Sequence, residues 1–324
     1  MTAPVTWRQA WDTALYGERG FYRTGNRPGA HFRTSVHVSR QFAEAVLALA
    51  RAVDTATIVD LGAGGGELLA DLDALDADLD LTGVDLAPRP PGLPPKVAWS
   101  HAVPHFDGLL LANEWLDNVP CDVVELTGHG LQHVLVNMAG GADVLGNPPD
   151  AEVAAWVERW WPLAAPGQRA EVGLARDLAW ARAAGRVGRG LAVAVDYGHL
   201  RAGRPPAGTL AGYRAGRRVP AVPDGSGDLT AHVALDSCAA AVPGTVLLSQ
   251  RSALAALGLT GRRPAYESAI SDPATYARRL QVAAEAAELT ARGSLGDFGW
   301  LISPIGRPLP AVFTTAPAAS AGRE

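Results

Sequence analysis

Cysteine, lysine and isoleucine are scarce in this chain of 324 residues. The two cysteines, Cys121 and Cys238, cannot supply a disulfide framework or a zinc cluster, so both are expected to be buried small residues. Lys96 is the only lysine among 28 basic residues, a bias that is typical of a GC-rich bacterial genome. Because that bias also raises arginine and glycine, the counts of these two residues carry little information on function.

Long apolar runs and a general positive charge are missing as well. No stretch reaches the ~18 apolar residues that a membrane span requires, and the first residues lack the charged and apolar regions of a signal peptide. The net charge of −5 argues against binding of nucleic acid through a basic field. The chain is 48% hydrophobic and only 19% charged, which excludes a disordered protein. We expect a cytoplasmic protein with neither a membrane nor a nucleic-acid partner.

The eight histidines do not form a recognisable metal site. His101 and His105, like His129 and His133, are four residues apart, which is the spacing of metal ligands on a helix. Pro104 interrupts the first pair, and glycines flank His129 in the second. No metal is therefore expected.

Strands and helices alternate along much of the chain, which is typical of a doubly wound α/β sheet. A β-branched strand over 57–61 runs into five residues rich in glycine, and a helix over 67–75 and a strand over 79–84 follow. Further strands are predicted over 96–103, 107–112, 190–195, 244–248 and 298–302, with a hairpin over 123–136. Further helices are predicted over 38–53, with Ser39 as its N-cap, over 153–160 and 252–257, and from Pro273 to Gly293.

The predicted organisation has four parts. Residues 1–55 form an N-terminal helical segment, and residues 56–200 form a Rossmann-like core with an inserted hairpin and helices at 119–185. Residues 201–313 combine a lid or substrate loop with the C-terminal part of the α/β fold, and 314–324 form a flexible tail. Residues 201–228 are rich in Gly, Pro and Arg without any period, so they are interpreted as a long loop, either a solvated one or a contact surface for an acidic partner.

The glycine-rich turn has the sequence Asp60-Leu61-Gly62-Ala63-Gly64-Gly65-Gly66. A dinucleotide fingerprint requires a glycine at the sixth position counted from Gly62, where this chain has Glu67. The acids at 60 and 67 disfavour a pyrophosphate and favour an ammonium group. S-adenosyl-L-methionine carries an ammonium and a sulfonium and no phosphate, so it is the predicted cofactor.

The expected cofactor-binding residues follow from this geometry. Asp60 is expected to bind the methionine ammonium, and Asp85, at the end of the next strand, is placed to accept both ribose hydroxyls. The complete predicted set is Asp60, Gly62, Ala63, Gly64, Gly66, Asp85, Leu86 and Asn113, in which the glycines allow close approach of the backbone. The alternative is a tight turn between strand and helix that binds nothing.

Polar residues also follow the strands over 107–112 and 190–195. Ligands of such sheets bind at the carboxyl ends of the strands. Methyl transfer depends mainly on alignment of the acceptor, and a nitrogen acceptor must also lose a proton. Asn113, Glu114, Asp117 and Tyr197 are therefore the predicted catalytic residues. Capping of the following turn is the alternative role of Asn113 and Asp117.

Four segments in this order resemble the MidA-type methyltransferases, over roughly residues 16–260. They are 60–66, 111–120 with its Asn-Glu pair, 194–213 and 227–233, the last reading Gly-Asp-Leu-Thr-Ala-His-Val. The resemblance implies a class I methyltransferase fold and S-adenosyl-L-methionine as methyl donor. A mitochondrial relative in that family methylates an arginine of a respiratory complex I subunit.

The resemblance also implies an acceptor site and an acceptor. Tyr197 and the segment 208–233 are expected to shape or cover the acceptor site, and the implied acceptor is an arginine of a protein. The alternatives are a small-molecule O- or N-methyltransferase, an assembly factor that binds the cofactor without turnover, and, last, a nicotinamide dehydrogenase.

Overall fold

The computed structural model describes residues 3–23, 34–138, 140–259 and 261–314. The strands are β1 (Val5–Thr6), β2 (Thr57–Leu61), β3 (Asp80–Val84), β4 (Ala98–Ser100), β5 (Phe106–Asn113), β6 (Asp122–Thr127), β7 (Gly130–Val136), β8 (Asp143–Leu145), β9 (Arg169–Val172), β10 (Val187–Asp196), β11 (Gly198–His199), β12 (Ala211–Arg214), β13 (Arg217–Val219), β14 (Asp228–Thr230), β15 (Val233–Ala234), β16 (Val246–Ser249) and β17 (Gly299–Ile305). The helices are α1 (Trp7–Tyr16), α2 (Ser35–Val38), α3 (Gln41–Ala52), α4 (Glu67–Leu75), α5 (Ala151–Trp160), α6 (Leu174–Ala184), α7 (Leu235–Ala240), α8 (Gln250–Ala256), α9 (Glu267–Ser271), α10 (Pro273–Leu289) and α11 (Ala311–Thr314).

The central sheet of the described residues has seven strands in the order β16-β17-β10-β5-β2-β3-β4. The strands from β10 to β4 are parallel, and β17 runs antiparallel between β10 and β16. Consecutive parallel strands need crossover connections, and helices supply the first of them here. The carboxyl ends of β2, β3, β5 and β10 therefore lie along one edge of the sheet, where ligands of open α/β sheets bind.

The central sheet is buried on both faces. Ile58 and Leu109 pack with α3, α4 and α8 on one face, and Val59 and Leu110 pack with α6 and α7 on the other. Because neighbouring residues of a strand point to opposite faces, both must be apolar, and strands such as β5 are almost continuously apolar. The helices are thereby held on the two faces, and the polar edge of the sheet stays open.

A second sheet of five strands, with the order β1-β7-β6-β9 and β8 paired to β7, lies beside the central one. The hairpin of β6 and β7 confirms the one expected over 123–136. Trp156 of α5 packs in a core beneath this sheet and is 5% exposed. The two cysteines are also buried, which confirms the prediction for both.

The opening strand–turn–helix–strand unit confirms the sequence prediction closely. β2 and α4 have the predicted bounds, β3 begins one residue later, and Asp272 caps α10 by accepting the N–H of Thr275 at 3.0 Å. The helix predicted over 38–53 is α3, which begins three residues later because the backbone is extended at Ser39; its N-cap is Arg40 rather than the predicted Ser39. Ser39 still accepts the N–H of Gln41 at 3.1 Å.

Other expected elements are shifted. The strand expected over 96–103 is only the three residues of β4, and α10 ends at Leu289 rather than at Gly293. Thr314 belongs to α11, and the rest of the expected tail lies outside the described residues.

The interpretation of residues 201–228 as a long loop is wrong. β12 and β13 form a hairpin in this region, and β12 also pairs with β14, where Tyr213 is opposite Asp228. These strands are only three or four residues long, and apolar and polar residues do not alternate along them. Their sequence therefore gives no local signal for a strand. This small sheet brings Asp228 and Thr230 toward the edge of the central sheet.

Candidate functional site

A pocket of about 840 Å³, open to solvent, lies at the carboxyl edge of the central sheet. Its walls come from the turn after β2, the ends of β5 and β10, the strand β14 and the short helix α2. The lining residues are Thr34, Val36, His37, Asp60, Gly62, Ala63, Gly64, Gly65, Glu67, Leu68, Asn113, Glu114, Asp117, Asn118, Tyr197, Asp228 and Thr230. Most of the residues predicted from the sequence are thus brought together.

The glycine turn forms one end of the pocket. Gly62, Gly64 and Gly66 all have positive φ, which a residue with a Cβ adopts at a cost. At Gly64 an added Cβ would have only the carbonyl oxygen of Gly62 within 4.0 Å, so the space beside it is empty. At Gly62 it would instead lie 2.9 Å from the Trp115 ring. The backbone is therefore open to a ligand at Gly64, whereas at Gly62 it packs against the Trp115 side chain.

Asp85 supports the turn from the end of β3. Its Oδ2 accepts the N–H of Gly64 at 2.9 Å, and its Oδ1 accepts the N–H of Ala87 at 2.8 Å. Gly66 and Asp85 do not line the pocket, and Leu86 is 53% exposed outside it. The structure thus places Asp85 behind the predicted ribose site and Leu86 at the surface.

Asp60 lies beneath the turn at the end of β2 and is 4% exposed. Burial, together with the nearby Asp85 and Glu67, raises the pKa of Asp60 to about 7. A buried carboxyl group with this pKa gains from a cationic ligand, which would favour its ionised form. The position suits the ammonium group that the sequence analysis assigned to it.

Asn113 and Glu114 end β5 at the middle of the pocket. The Asn113 amide donates to Glu114 Oε1 at 3.2 Å, while Asn113 Oδ1 is buried without a hydrogen-bond partner among the described residues. An unsatisfied buried acceptor is costly, so this atom is suited to a donor supplied by a ligand. Glu114 has φ +52°, and its N–H donates to Val195 O of β10 at 2.7 Å. Enclosure in the pocket and the nearby Asp117 raise the pKa of Glu114 to about 7.

Asp117 and Tyr197 form the far wall with residues of β14. Asp117 Oδ2 accepts the hydroxyl groups of both Tyr197 and Thr230, the latter at 2.8 Å. Asp228 accepts the Tyr22 hydroxyl at 3.0 Å, and burial with the nearby Asp117 raises the pKa of Asp228 to about 7. This wall is acidic and fully hydrogen-bonded at Asp117, so it is rigid and attracts cations.

Several lining residues were not predicted individually. Asp228 and Thr230 belong to the segment 208–233 that the resemblance assigned to the acceptor site, and Glu67 was noted only for its charge. Thr34, Val36 and His37 of the α2 region carry no local signal, because they reach the pocket only through packing of distant segments.

Among the described residues, no helix is long and apolar enough to cross a bilayer, and no group of three or more potential metal ligands is present.

The parallel sheet with the antiparallel strand β17 between β10 and β16, and the acidic pocket beside the glycine turn, define a class I methyltransferase. The model of a family described as S-adenosyl-L-methionine-dependent methyltransferases matches residues 82–247. The chain belongs to this family, and its resemblance to the MidA-type enzymes is confirmed. S-adenosyl-L-methionine is accordingly its cofactor, and the donor set of the pocket fits this molecule.

Two solved structures have the same fold. A COG1565 superfamily member from Burkholderia thailandensis bound to S-adenosyl-homocysteine has a TM-score of 0.77 at 24% identity, covering 97% of this chain and 91% of that chain. A native structure of a COG1565 superfamily protein from the same organism has a TM-score of 0.75 at 25% identity, with the same coverage. No curated protein matches the chain.

Proposed function

We propose that this methyltransferase modifies a cationic nitrogen, the guanidinium group of an arginine in a protein substrate. The observation that carries the proposal is the acidic wall of the pocket beyond the glycine turn, formed by Glu114, Asp117 and Asp228. A guanidinium group presents a planar set of N–H donors, and carboxylates are its preferred partners. The resemblance of residues 111–120 and 227–233 to the MidA-type family supports the same acceptor.

Glu114 is the proposed proton acceptor. Its backbone is held by β10 through the bond to Val195, and its Oε1 accepts the N–H of Ser35 at 3.2 Å. The positive φ of a non-glycine residue costs on the order of 1 kcal/mol, and such strain is retained where it aims a functional side chain. A carboxyl group with a pKa of about 7 is well matched to proton transfer near neutral pH.

Asp117, Tyr197 and Thr230 hold the other side of the acceptor. The Tyr197 and Thr230 hydroxyls both donate to Asp117, which fixes the carboxyl group in one orientation. The Tyr197 ring lies 5.2 Å from the His232 ring and 5.5 Å from the Phe298 ring, so its position is also set by packing. These residues orient a bound guanidinium and exclude water from it.

S-adenosyl-L-methionine, when bound, supplies the methyl group and leaves as S-adenosylhomocysteine. The attacking guanidinium nitrogen forms a bond to the methyl carbon as the bond from that carbon to sulfur breaks. The nitrogen then carries one proton too many, and Glu114 Oε accepts it. Asp117 and Asp228 offset the positive charge that stays on the methylated side chain. The products are a methylated arginine, S-adenosylhomocysteine and one proton.

Label transfer tests the acceptor. The purified enzyme is incubated with S-adenosyl-L-methionine labelled in the methyl group and an extract of cells that lack the gene. Protein and small molecules are then separated, and the protein fraction is hydrolysed to amino acids. We expect the label in methylarginine. Label confined to the small-molecule fraction would contradict the proposal and assign a small-molecule acceptor instead.

Glu114→Gln and Glu152→Gln form a matched pair for this experiment. Both remove one carboxylate, but Glu152 lies exposed in the first turn of α5. We expect E114Q to transfer at least 100-fold less label, consistent with loss of a proton acceptor, and E152Q to match the wild type. E114Q must still bind S-adenosylhomocysteine, which separates loss of proton transfer from loss of the cofactor.

A further inference from the structure

The pocket has a pronounced imbalance of charge. Five carboxyl side chains line it, those of Asp60, Glu67, Glu114, Asp117 and Asp228. Among the described lining residues, His37 is the only one whose side chain can become a cation. The methionine part of the cofactor carries a carboxylate as well as an ammonium group. That carboxylate needs a donor in a pocket that otherwise repels it.

The backbone of the glycine turn is poorly placed to supply this donor. The N–H groups of Gly62 and Ala63 both donate to Val84 O, at 2.8 and 3.2 Å. The N–H of Gly64 donates to Asp85 at 2.9 Å. These amides are already used to hold the turn against β3, so the remaining backbone candidates are the N–H of Gly65 and those in the first turn of α4.

The His37 ring is held in position by a neighbouring side chain, and it can present an N–H donor to the pocket. Its Nδ1 lies 2.6 Å from Thr34 Oγ1, which fixes the ring. Its Nε2 lies 3.6 Å from Glu67 Oε1, at the start of the helix that follows the glycine turn. The imidazole thus lies near the start of α4, and it lines the same pocket as the glycine turn.

The segment that carries His37 is held on one side by Glu114 of the pocket and on the other by α10, outside the pocket. The N–H of Ser35 donates to Glu114 at 3.2 Å, and the Ser39 hydroxyl donates to Glu285 of α10 at 2.7 Å. A side chain on such a segment is positioned by contacts on either side, and it loses little freedom when it binds a ligand.

We propose that His37 binds the α-carboxylate of the methionine part of S-adenosyl-L-methionine. The proposal rests on the cofactor and is independent of the acceptor. His37 supplies a side-chain N–H donor for the carboxylate, while the acids near the turn receive the ammonium. The carboxylate and the ammonium of the methionine part thus bind different residues, which fixes the orientation of the cofactor with its sulfonium toward Glu114.

A pair of ligands that differ only in this carboxylate tests the proposal. Binding of S-adenosylhomocysteine and of its decarboxylated counterpart is measured by calorimetry for the wild type, His37→Ala and His37→Gln. A charge-assisted hydrogen bond corresponds to a factor of roughly 10 to 100 in affinity. We expect H37A and H37Q to bind S-adenosylhomocysteine at least 10-fold more weakly and to bind the decarboxylated ligand as the wild type does.

Two further variants complete the test. His37→Lys places an ammonium N–H donor at the position and is expected to recover most of the affinity, whereas His129→Ala, in the exposed turn between β6 and β7, is expected to have no effect. Equal weakening of both ligands in H37A would overturn the proposal in favour of a structural role. Unchanged binding of S-adenosylhomocysteine in H37A would also overturn it and assign the carboxylate to the backbone amides of Gly65 and the first turn of α4. If the wild type bound neither ligand, the cofactor itself would be contradicted together with the proposal.

Discussion

The carboxyl group of Asp196, at the end of β10, accepts the backbone N–H of Leu116 through Oδ2 at 2.9 Å. The same oxygen accepts the N–H of Asp117 at 3.1 Å, and Oδ1 accepts the N–H of Tyr197 at 3.0 Å. Asp196 is fully buried and lines no part of the pocket. It joins the ends of two strands and sets the positions of both Asp117 and Tyr197.

Replacing Asp196 with asparagine is expected to lower the free energy of unfolding by about 2 kcal/mol. Both carboxyl oxygens accept N–H groups, so the new NH₂ must face a buried donor whichever way the amide turns. Urea denaturation measures the change. Asp150→Asn is the control, because asparagine caps a helix as well as aspartate does and Asp150 accepts only the N–H of Val153. Equal losses in the two variants would contradict this role of Asp196.

Gly62 and Gly64 are expected to respond differently to alanine. Both positions have positive φ, so an alanine at either one is strained by about 1 kcal/mol. Gly62→Ala also forces its Cβ to within 2.9 Å of Trp115, so we expect the larger drop in melting temperature there. Gly64→Ala has space around its Cβ, and we expect it to fold but to bind S-adenosylhomocysteine more weakly. Calorimetry and thermal melting, with Gly92→Ala as an unstrained control, separate the two effects; unimpaired binding by G64A would contradict the prediction.

Removal of Asp85 is expected to weaken cofactor binding at least 10-fold. The Asp85→Ala change releases the N–H of Gly64 and removes the carboxyl group behind the predicted ribose site. Leu86→Ala, at the exposed neighbouring position, is expected to alter affinity less than 3-fold, since a side chain 53% exposed can lose little contact. Calorimetric titration with S-adenosylhomocysteine measures both. A larger loss in L86A than in D85A would contradict this role of Asp85.

The protein without cofactor is expected to become less stable as the pH rises from about 5 to about 8. Asp60, Glu114 and Asp228 have pKa values of about 7 when folded, above the ordinary values of 3.8, 4.5 and 3.8 that the unfolded chain has. The folded state therefore binds these protons more tightly, and the stability they contribute is complete below pH of about 4 and lost as the pH passes about 7. Thermal melting at a series of pH values measures this.

The combined variant D60N/E114Q/D228N provides the control for the pH series. Because its neutral side chains do not titrate, its melting temperature should fall less between pH 5 and 8. A wild-type melting temperature that rose over this range would contradict the prediction.

The rate of methyl transfer is expected to have the opposite pH dependence. Glu114 accepts a proton only when ionised, so the rate should rise as the pH passes about 7. Initial rates of label transfer, measured with saturating cofactor, report this rise. In Asp228→Asn, which keeps Glu114, the rise should persist; a flat wild-type profile between pH 6 and 8 would rule out Glu114 as the proton acceptor.

The cofactor half of the site could be predicted from the sequence because its signals are local. β2, the glycines and α4 are consecutive, and the acid at position 60 is read directly from the strand that it ends. Asn113 and Glu114 follow from the same rule applied to β5. Such elements depend on periodicity and turn chemistry over a few residues.

The remaining part of the site depends on contacts between distant residues. Asp228 reaches the pocket through pairing of β14 with β12, and the bond from Tyr22 to Asp228 spans 206 residues. His37 lies on a helix of only four residues, too short to show a period. Neither the sheet of β12, β13 and β14 nor α2 has a recognisable hydrophobic period in the sequence. Their positions are seen only in the folded structure.

The antiparallel strand β17 has a consequence for how the enzyme is made. It lies between β10 and β16, although it is synthesised after both of them. Until it leaves the ribosome, β10 offers an unpaired edge to other chains, and the end of β10 that carries Asp196 lacks its neighbour Gly299. The nascent protein can assemble its cofactor half early, but the end of β10 that carries Asp196 and Tyr197 gains its second neighbouring strand only after β17 has been released.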